Sequence, residues 1–309
     1  MGLQLWDNGP SWQLESAPAD SARFGLAVAR LRVRRSERQE DENSTELAAA
    51  LRAELAQVVI CRYPADSWWV AAALVASGRN VLPAGGLVYW RSPAGAADQN
   101  PPARGRDDVD VVTADVAALG SAGDRLGRVG DQRRTAGLLD ELVGGTFDRY
   151  GSHYRHNPLF DPDAIAAGYA EWTRAVLASD TGEVLVLRLR GEPIGFASLA
   201  PDGDGYEILL AGISPAQQGR GHYRELLDAC ARWSAAHGGK SVVISTQTHN
   251  VRVQRAWANA GWRPVDALET VHLVTRGLLP SGSHRSIWLS EPPDDPETRR
   301  GAPHRERTR

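Results

Sequence analysis

Between residues 207 and 233 the spacing of the apolar positions changes from that of a strand to that of a helix. An apolar run ends at Ile213, the dipeptide Ser214-Pro215 marks a turn, and a loop with two glycines follows. Apolar side chains then recur at helical spacing, at Tyr223, Leu226, Leu227 and Cys230. The pattern predicts a strand that leads through a tight loop into an amphipathic helix, which Gly238-Gly239 end.

The first part of the chain also alternates between strand and helix patterns. Residues 1–20 have no clear period, and the residues after them predict the order strand, helix, strand, helix, strand. The predicted ranges are 24–33, 45–57, 58–61, 67–77 and 87–90. We therefore expect a smaller N-terminal α/β domain over residues 1–91, in which no catalytic constellation is visible.

A segment rich in Pro and Gly over residues 92–108 predicts a linker to a second domain, which we place over 109–279. In that domain we expect helices over 138–150, 163–179 and 250–260, and strands over 109–112, 183–190, 193–199, 206–213, 241–247 and 270–275. Residues 120–134 read as a loop. The fold class is therefore α/β, and the Pro-, Asp- and Arg-rich residues 280–309 predict a disordered tail.

Composition indicates which binding partners to expect for this protein. The formal net charge is -3, and no basic stripe dominates the predicted domains, which argues against nucleic acid. No apolar run reaches the length of a membrane span, and no secretory leader is visible, so we expect a cytoplasmic protein without a membrane partner. Cys61 and Cys230 sit in apolar runs and are expected to be buried free thiols. No Cys/His cluster has the spacing of a metal site, so we expect no metal.

The loop after Ile213 has the chemistry of an anion site. A strand that enters a helix through glycines directs free backbone N–H groups and the positive end of the helix dipole at one point. The sequence Gln218-Gly219-Arg220-Gly221-His222-Tyr223 resembles the acetyl-CoA pyrophosphate loop, Gln/Arg-x-x-Gly-x-Gly/Ala, of the GNAT N-acetyltransferase superfamily. The match is incomplete, because Tyr223 stands where the family has a small residue.

A second segment, Asn250 to Trp262, is similar to the GNAT run Asn-x-x-Ala-x-x-x-Tyr-x-x-x-Gly-Phe. The resemblance implies that Asn250 lies near the pantetheine arm, although an ordinary helix N-cap also explains it. Trp257 takes the place of the family's tyrosine, whose hydroxyl often protonates the departing thiolate. An indole N–H donates a hydrogen bond but is not a usable acid, so Tyr223, Tyr206, His249 or water would have to supply the proton.

The resemblance also implies a fold and a cofactor site. The element order from residue 138 is that of the family and covers about half of the chain. In that fold two adjacent strands splay apart at a bulge in the first, and the arm of acetyl-CoA, the expected co-substrate, inserts between them. This places Leu210, Ala211, Gly212 and Ile213 against the arm. The N–H near Ala211 would then face the thioester carbonyl and stabilise its oxyanion.

Acetylation of an alkylamine needs a base, because most of the amine is protonated at neutral pH. Glu207 is the first candidate, since the run from Glu207 to Ser214 resembles the strand that carries the basic glutamate of histone-type GNAT enzymes. A solvent-facing Glu at the start of a strand is the competing interpretation. His249, which follows the strand over 241–247, is the second candidate.

A finer resemblance concerns the acceptor. The runs Ser245 to Asn250, Leu268 to Leu273 and His153 to Pro158 look like segments of the dTDP-fucosamine acetyltransferase-like, nucleotide-amino-sugar group of GNAT proteins. The resemblance implies acceptor-binding roles, which we assign to His153, Tyr154, Arg155 and Gln247. A polar surface loop would explain the same residues. The N-terminal domain resembles the small domain of that group and reads as a packing or dimerisation domain, or as a degenerate GNAT half, which leaves a homodimer open.

We therefore expect an N-acetyltransferase that moves acetyl from acetyl-CoA to the primary amine of a small molecule by direct attack. A nucleotide-linked amino sugar is the first choice of acceptor. The alternatives are a free amino sugar, an antibiotic amine or a protein N-terminus. A different class, a non-catalytic acyl-CoA-binding or scaffold protein, stays open because Trp257 and Tyr223 depart from the family pattern.

Overall fold

The structure is a computed structural model, and it describes residues 10–35, 40–93, 109–113, 128–147 and 150–279. The helices are α1 (Pro18–Phe24), α2 (Glu40–Ala53), α3 (Trp68–Ala76), α4 (Arg128–Phe147), α5 (Pro162–Leu177), α6 (His222–Ala236) and α7 (Val251–Asn259). The strands are β1 (Trp12–Ser16), β2 (Val28–Val33), β3 (Val58–Pro64), β4 (Asn80–Pro93), β5 (Val109–Thr113), β6 (Glu183–Leu189), β7 (Glu192–Asp202), β8 (Gly205–Ile213), β9 (Ser241–Gln247) and β10 (Arg263–Val274). Short 3₁₀ turns lie at His153–His156 and Pro215–Gln217.

The described strands form one ten-stranded sheet in the order β1-β2-β3-β10-β4-β9-β8-β7-β6-β5. The antiparallel pair β10 and β4 joins the two halves, with three strands beyond β10 and five beyond β4. The last strand of the first half, β4, lies between β9 and β10, and the last strand of the second half, β10, lies between β3 and β4. The parallel pairs β2/β3 and β8/β9 occupy equivalent places on the two sides. Each half therefore completes the sheet of the other.

Helices cover both faces of the sheet, because each face presents an apolar layer. One core lies under α4 and α5 and includes Ile60, Val186 and Phe196. On the opposite face, α2 and α3 cover a second core around Leu31 and Cys61, and α6 and α7 cover a third core. The prediction of an α/β fold with a mixed sheet flanked by helices is confirmed.

Several predicted boundaries were wrong. Residues 10–24, expected to be irregular or to begin a strand, form β1 and α1, so the strand expected over 24–33 begins only at Val28. Strand β4 has 14 residues where four were expected, and it runs to Pro93, inside the predicted linker. Helix α4 begins at Arg128, within the predicted loop over 120–134. The rest of the predicted linker and the tail over 280–309 lie outside the described residues, and the division into two domains stays a prediction.

A buried network joins the two halves on the α5 face. The Asp20 carboxylate, which is 2% exposed, accepts a hydrogen bond from the Tyr154 hydroxyl at 3.2 Å. Arg30 lies 2.6 Å from the same carboxylate and donates to the Tyr154 oxygen at 3.0 Å. Phe24 stacks on Phe160 with ring centroids 4.0 Å apart. These contacts fix the 3₁₀ turn at His153–His156 against the N-terminal half.

Helix α4 packs closely on β8, and only glycine fits at the crossing. A Cβ on Gly212 would lie 2.2 Å from the Cγ2 atom of Thr146. We expect Gly212→Ala to lower the free energy of unfolding by about 1–3 kcal/mol through overpacking. Thr146→Ala removes the clashing methyl and should recover most of that loss, which denaturant unfolding of the two single variants and the double variant would measure. Additive losses would contradict the packing described here.

Candidate active site

Strands β8 and β9 part after a short stretch of pairing. Their parallel pairing covers only Tyr206 to Ile208 on β8. A bulge follows at once, since Leu199 pairs with Ile208 and Ser198 with Leu210, which leaves Leu209 without a partner on β7. Strand β8 then continues to Ile213 beside β7 alone, and β9 stays paired with β4 on its other side. A gap in the pairing therefore opens along residues 210–213, where the resemblance to the GNAT fold implied one.

The loop beyond this gap has the backbone of an anion site. Gly219 and Gly221 have φ angles of 75° and 88°, in the left-handed region that favours glycine. Gly221 is the N-cap of α6, and a Cβ on either glycine would meet nothing within 4 Å. Within the described part of the chain, the N–H groups of Gly219, Arg220 and Gly221 form no hydrogen bond. Exposed donors and the helix dipole therefore point at the same open space.

Side chains fix this loop to its surroundings. Gln218 donates through Nε2 to the carbonyl oxygen of Ile213 at 3.0 Å, at the end of β8. Arg252 on α7 donates to Gln218 Oε1 at 3.4 Å, which brings a second cation beside the exposed Arg220. The buried His222 ring lies with its Nδ1 3.0 Å from Oε2 of Glu225 in the same helix. The arrangement fits a diphosphate, with Arg220 and Arg252 at its rim.

Asn250, Trp257 and Tyr223 lie at the open end of the gap. Asn250 caps α7, since its Oδ1 accepts from Val253 N–H at 3.4 Å, and its Nδ2 donates to Thr246 at 3.0 Å. Trp257 is 1% exposed, and its Nε1 donates to the Tyr223 hydroxyl oxygen at 3.1 Å. Burial raises the pKa of Tyr223, and the indole hydrogen bond acts in the opposite direction. The pair places a phenol beside the position where the family has its tyrosine.

Tyr150, which sequence reasoning did not assign, also reaches this end of the gap. Its hydroxyl lies 3.4 Å from the Thr246 hydroxyl, which in turn accepts from Asn250. Tyr150 follows α4, and α4 is held over β8 by the close approach of Thr146 to Gly212. No local pattern marks Tyr150 as functional, because the packing of α4 brings it to the site.

Glu207 points into the protein and not into solvent. The residue is 5% exposed, and its Oε2 has no hydrogen-bond partner among the described residues. Burial is the main cause that raises the pKa of Glu207 to about 7; Asp202 acts in the same direction and Arg62 in the opposite one. A buried carboxylate that titrates near neutral pH, next to an opened strand pair, has the protonation behaviour of a general base.

His249 lies farther out. It is exposed, and its Nε2 atom is 2.8 Å from the place of a Cβ on Gly151, so the ring covers that glycine. Burial and the neighbouring His156 lower the pKa of His249. The ring therefore forms part of the wall between the 3₁₀ turn and α7.

The four residues predicted to bind the acceptor have different surroundings. His153 is buried, and its Nδ1 lies 3.0 Å from Nε2 of His272. Tyr154 is bound to Asp20 and Arg30, and the exposed Arg155 donates to the carbonyl oxygen of Tyr150 at 3.1 Å. Gln247 is 2% exposed, and its Oε1 has no partner among the described residues. Of the four, only His153 and Gln247 are thus buried.

Arg62 on β3 was not assigned from the sequence, yet it interacts electrostatically with both Glu207 and His153. The signal in the sequence was a lone arginine in the apolar run Val58–Pro64. His272 was quoted only as part of a motif. Burial, with repulsion from Arg62, lowers the pKa of His272 to about 3, and the same causes lower that of His153. Both rings are therefore neutral at pH 7.

No group of three or more His, Cys, Asp or Glu side chains among the described residues is arranged to hold a metal ion. None of the described helices combines the length and apolar character that a bilayer span requires.

Part of the sequence matches a known protein family. Residues 150–262 match the model of the Acetyltransferase (GNAT) family. No curated protein sequence matches the chain significantly. The matched range contains β8, the glycine loop, α6, β9 and α7, which are the elements that build the gap.

Solved structures share the fold at low identity. A functionally unknown conserved protein from Staphylococcus epidermidis ATCC 12228 has a TM-score of 0.55 and 12% identity, over 89% of this chain and 94% of that one. A GCN5-related N-acetyltransferase from Sphaerobacter thermophilus has 0.51 and 15%, over 85% and 76%. One from Kribbella flavida has 0.50 and 11%, over 82% of both chains. At these identities the likeness shows the fold, whereas the family model covers the site itself. Residues 150–262 therefore resemble the GNAT acetyltransferase family, and this match supports an acyl-CoA N-acyltransferase.

Proposed function

We propose that the protein transfers acetyl from acetyl-CoA to a primary amine of a small molecule by direct attack, with Glu207 as the general base. The observation that carries the proposal is the combination of an open strand pair, a free anion loop at its end, and a buried carboxylate with a pKa near 7. The glycine loop and Arg220 hold the diphosphate, and residues 210–213 present unpaired strand edge to the pantetheine amides.

Glu207 removes the proton that makes the amine unreactive. The nitrogen lone pair then attacks the thioester carbonyl, the nitrogen loses its second proton to solvent water, and the C–S bond breaks with its electron pair on sulfur. The backbone N–H near Ala211 stabilises the oxyanion of the tetrahedral intermediate. Because both substrates are held together, no covalent enzyme intermediate is required. Cys61 and Cys230 fit this direct route, since both are buried and burial raises the pKa of each thiol.

The departing thiolate takes a proton from a donor at the open end of the gap. Tyr223 is our candidate, because the Trp257 N–H donates to its oxygen and would stabilise the phenolate that forms. Trp257 on α7 stands where the family has its tyrosine, and Tyr223 on α6 supplies a phenol near the leaving group instead. Asn250 and Thr246 place further hydrogen-bonding groups along the arm.

Within this class we propose a nucleotide-linked amino sugar as the first acceptor to examine. The support is the sequence resemblance of the segments around His153, Gln247 and His272, together with the burial of all three side chains. A cytoplasmic location and a homodimer through the N-terminal half stay part of the proposal. Free amino sugars, antibiotic amines and protein N-termini are the competing acceptors.

Loss of the anion loop should abolish CoA binding. Gly221→Glu places a negative charge and a side chain at an αL N-cap, so we expect the Kd for CoA, measured by isothermal titration calorimetry, to rise at least 100-fold. Gly238→Glu is the matched control. Gly238 ends α6 with a φ angle of 80° and equally open space, so the same backbone strain and charge arise away from the loop. Equal Kd values for the two variants would show that the loop has been assigned wrongly.

Measured rates of acetyl transfer test the role of Glu207 as the general base. With acetyl-CoA and a panel of dTDP- and UDP-amino sugars, free amino sugars, aminoglycosides and peptides, we expect thiol release with at least one amine. Glu207→Gln should lower kcat about 10²–10⁴-fold and leave the Kd for CoA unchanged. The ratio of wild-type to variant activity, in which the ionisation of the amine cancels, should rise tenfold per pH unit up to about pH 7 and then level. A ratio that does not change with pH would remove Glu207 as the base.

The raised pKa of Glu207 can be measured without knowing the acceptor. The folded protein binds the carboxyl proton more tightly than the unfolded chain does, because the pKa rises from 4.5 to about 7 on burial. Stability contributed by the neutral form is therefore present below pH 4.5 and is lost as the pH rises through 7. Glu207→Gln should match wild type near pH 4 and be more stable by roughly 3 kcal/mol at pH 8.

Denaturant unfolding of both proteins across this pH range gives the difference directly. The buried His153 and His272 also make stability depend on pH, but both proteins contain them, so their contribution cancels. A variant that is less stable than wild type at pH 8 would show that the carboxylate is stabilised in the fold and not destabilised.

A further inference from the structure

Buried polar atoms without partners recur on β3, β10, β9 and β8, strands that lie in this order from the N-terminal half to the gap. Among the residues that the structure describes, these atoms have no hydrogen-bond partner: Glu207 Oε2, Gln247 Oε1, Thr270 Oγ1, His272 Nδ1 and Arg62 Nε. The first four belong to side chains that are at most 5% exposed. Since buried polar groups are normally hydrogen-bonded, a group of unmatched ones indicates a ligand that would supply the missing partners.

Arg62 is the cation of this group, and it comes from the N-terminal half. Its Cα is paired with that of Thr270 across β3 and β10. Its guanidinium interacts electrostatically with Glu207, with Tyr89 and with the paired rings of His153 and His272. No carboxylate of the described residues forms an ion pair with Arg62. A partly buried guanidinium of this kind is costly unless an anion pairs with it.

The neighbouring residues increase the positive charge. Arg30, Arg32 and Arg62 lie on one face of β2 and β3, with Arg32 and Arg62 in register. Arg30 is paired with Asp20, and the pKa of Arg32 is lowered by burial and by repulsion from Arg30 and Arg62, with Glu15 acting in the opposite direction. The two histidines add no positive charge, because both are neutral at pH 7. Arg62 thus lies at the inner end of a cationic row that ends at the site.

We infer that the acceptor amine carries an anionic group, a carboxylate or a phosphate, and that Arg62 binds it. The inference deepens the proposed function and rests on it, since it assigns the other end of the molecule whose amine meets Glu207. Thr270 and Gln247 lie between the two charged residues in the sheet order and can bond the polar atoms between amine and anion. The N-terminal half is then part of the acceptor site and not only a packing domain.

The test compares acceptors that differ by one charge. One pair is an amino acid and its carboxamide, and the other is glucosamine 6-phosphate and glucosamine, with dTDP- and UDP-amino sugars beside them. We expect wild type to prefer the anionic member of a pair about 10–100-fold in kcat/KM, the range of a charge-assisted hydrogen bond. Arg62→Gln should remove the preference by lowering kcat/KM of the anionic member alone. Arg62→Lys, which keeps the charge and loses the planar fork, should be intermediate. A preference in the amino-acid pair would identify a carboxylate as the bound anion, and a preference in the glucosamine pair would identify a phosphate.

Arg174→Gln is the matched control, because it removes the same charge from a surface pair with Asp140 on α4. The Kd for CoA should be the same in all variants. Equal use of charged and neutral amines by wild type, or an unchanged ratio in Arg62→Gln, would overturn the inference and leave the proposed function standing.

A binding experiment covers the case in which no amine in the panel is acetylated. The probes are N-acetylglycine and inorganic phosphate, titrated by calorimetry into CoA-loaded protein. Binding that Arg62→Gln weakens at least tenfold, and Arg174→Gln does not, would support the anion site while the acetyl-transfer proposal fails. Equal binding in the two variants, or none to wild type, would overturn the anion site.

Discussion

The loss of pairing between β8 and β9 after Ile208 is the constraint on which the rest of the site depends. A bulge at Leu209 turns β8 away from its neighbour and leaves the edge groups of residues 210–213 without a partner on that side. Unpaired backbone inside a sheet costs free energy, so the fold must hold the gap open from elsewhere. Two contacts do so: α4 packs on Gly212, and the Gln218 side chain binds the carbonyl oxygen of Ile213.

The other side of the gap is held by the N-terminal half. Strand β4 pairs with β9 along seven residues, so β9 cannot swing back to close on β8. Strand β10 in turn pairs with β3 and β4 of the N-terminal half, so each half supports the sheet of the other. In the N-terminal half the equivalent pair, β2 and β3, stays paired over five residues from Val28 to Arg32 and shows no gap. The C-terminal half thus has the open pair, β8 and β9. The N-terminal half has the closed pair, β2 and β3, and supplies Arg62.

Sequence reasoning found what short-range patterns determine. The glycines at 219 and 221 and the cap at Asn250 each depend on a few neighbouring residues, and each has the expected conformation. Strand β4 was predicted over residues 87–90 alone, and the observed strand also contains Pro83, Gly85 and Gly86. They lie at a bulge, where Ala84 and Gly85 oppose the single residue Thr270. The pairing of β4 with β10 joins residues far apart in the chain, and no local pattern encodes it.

The acceptor side was predicted least well for the same reason. Arg62 and His153 are 91 positions apart and approach only through the shared sheet. His153 was expected to meet the substrate directly, but one of its ring nitrogens is bonded to His272. Glu207, by contrast, was proposed from the resemblance of a short run, Glu207 to Ser214, and its burial explains why a carboxylate there can act as a base near neutral pH.

A crystal structure with bound CoA tests this account most directly. The account predicts diphosphate oxygens within hydrogen-bond distance of the N–H groups of residues 219–223. It also predicts that the pantetheine arm lies between β8 and β9, with its sulfur within reach of the Tyr223 hydroxyl. A structure in which CoA binds elsewhere, or in which β8 and β9 are paired along their full length, would contradict it.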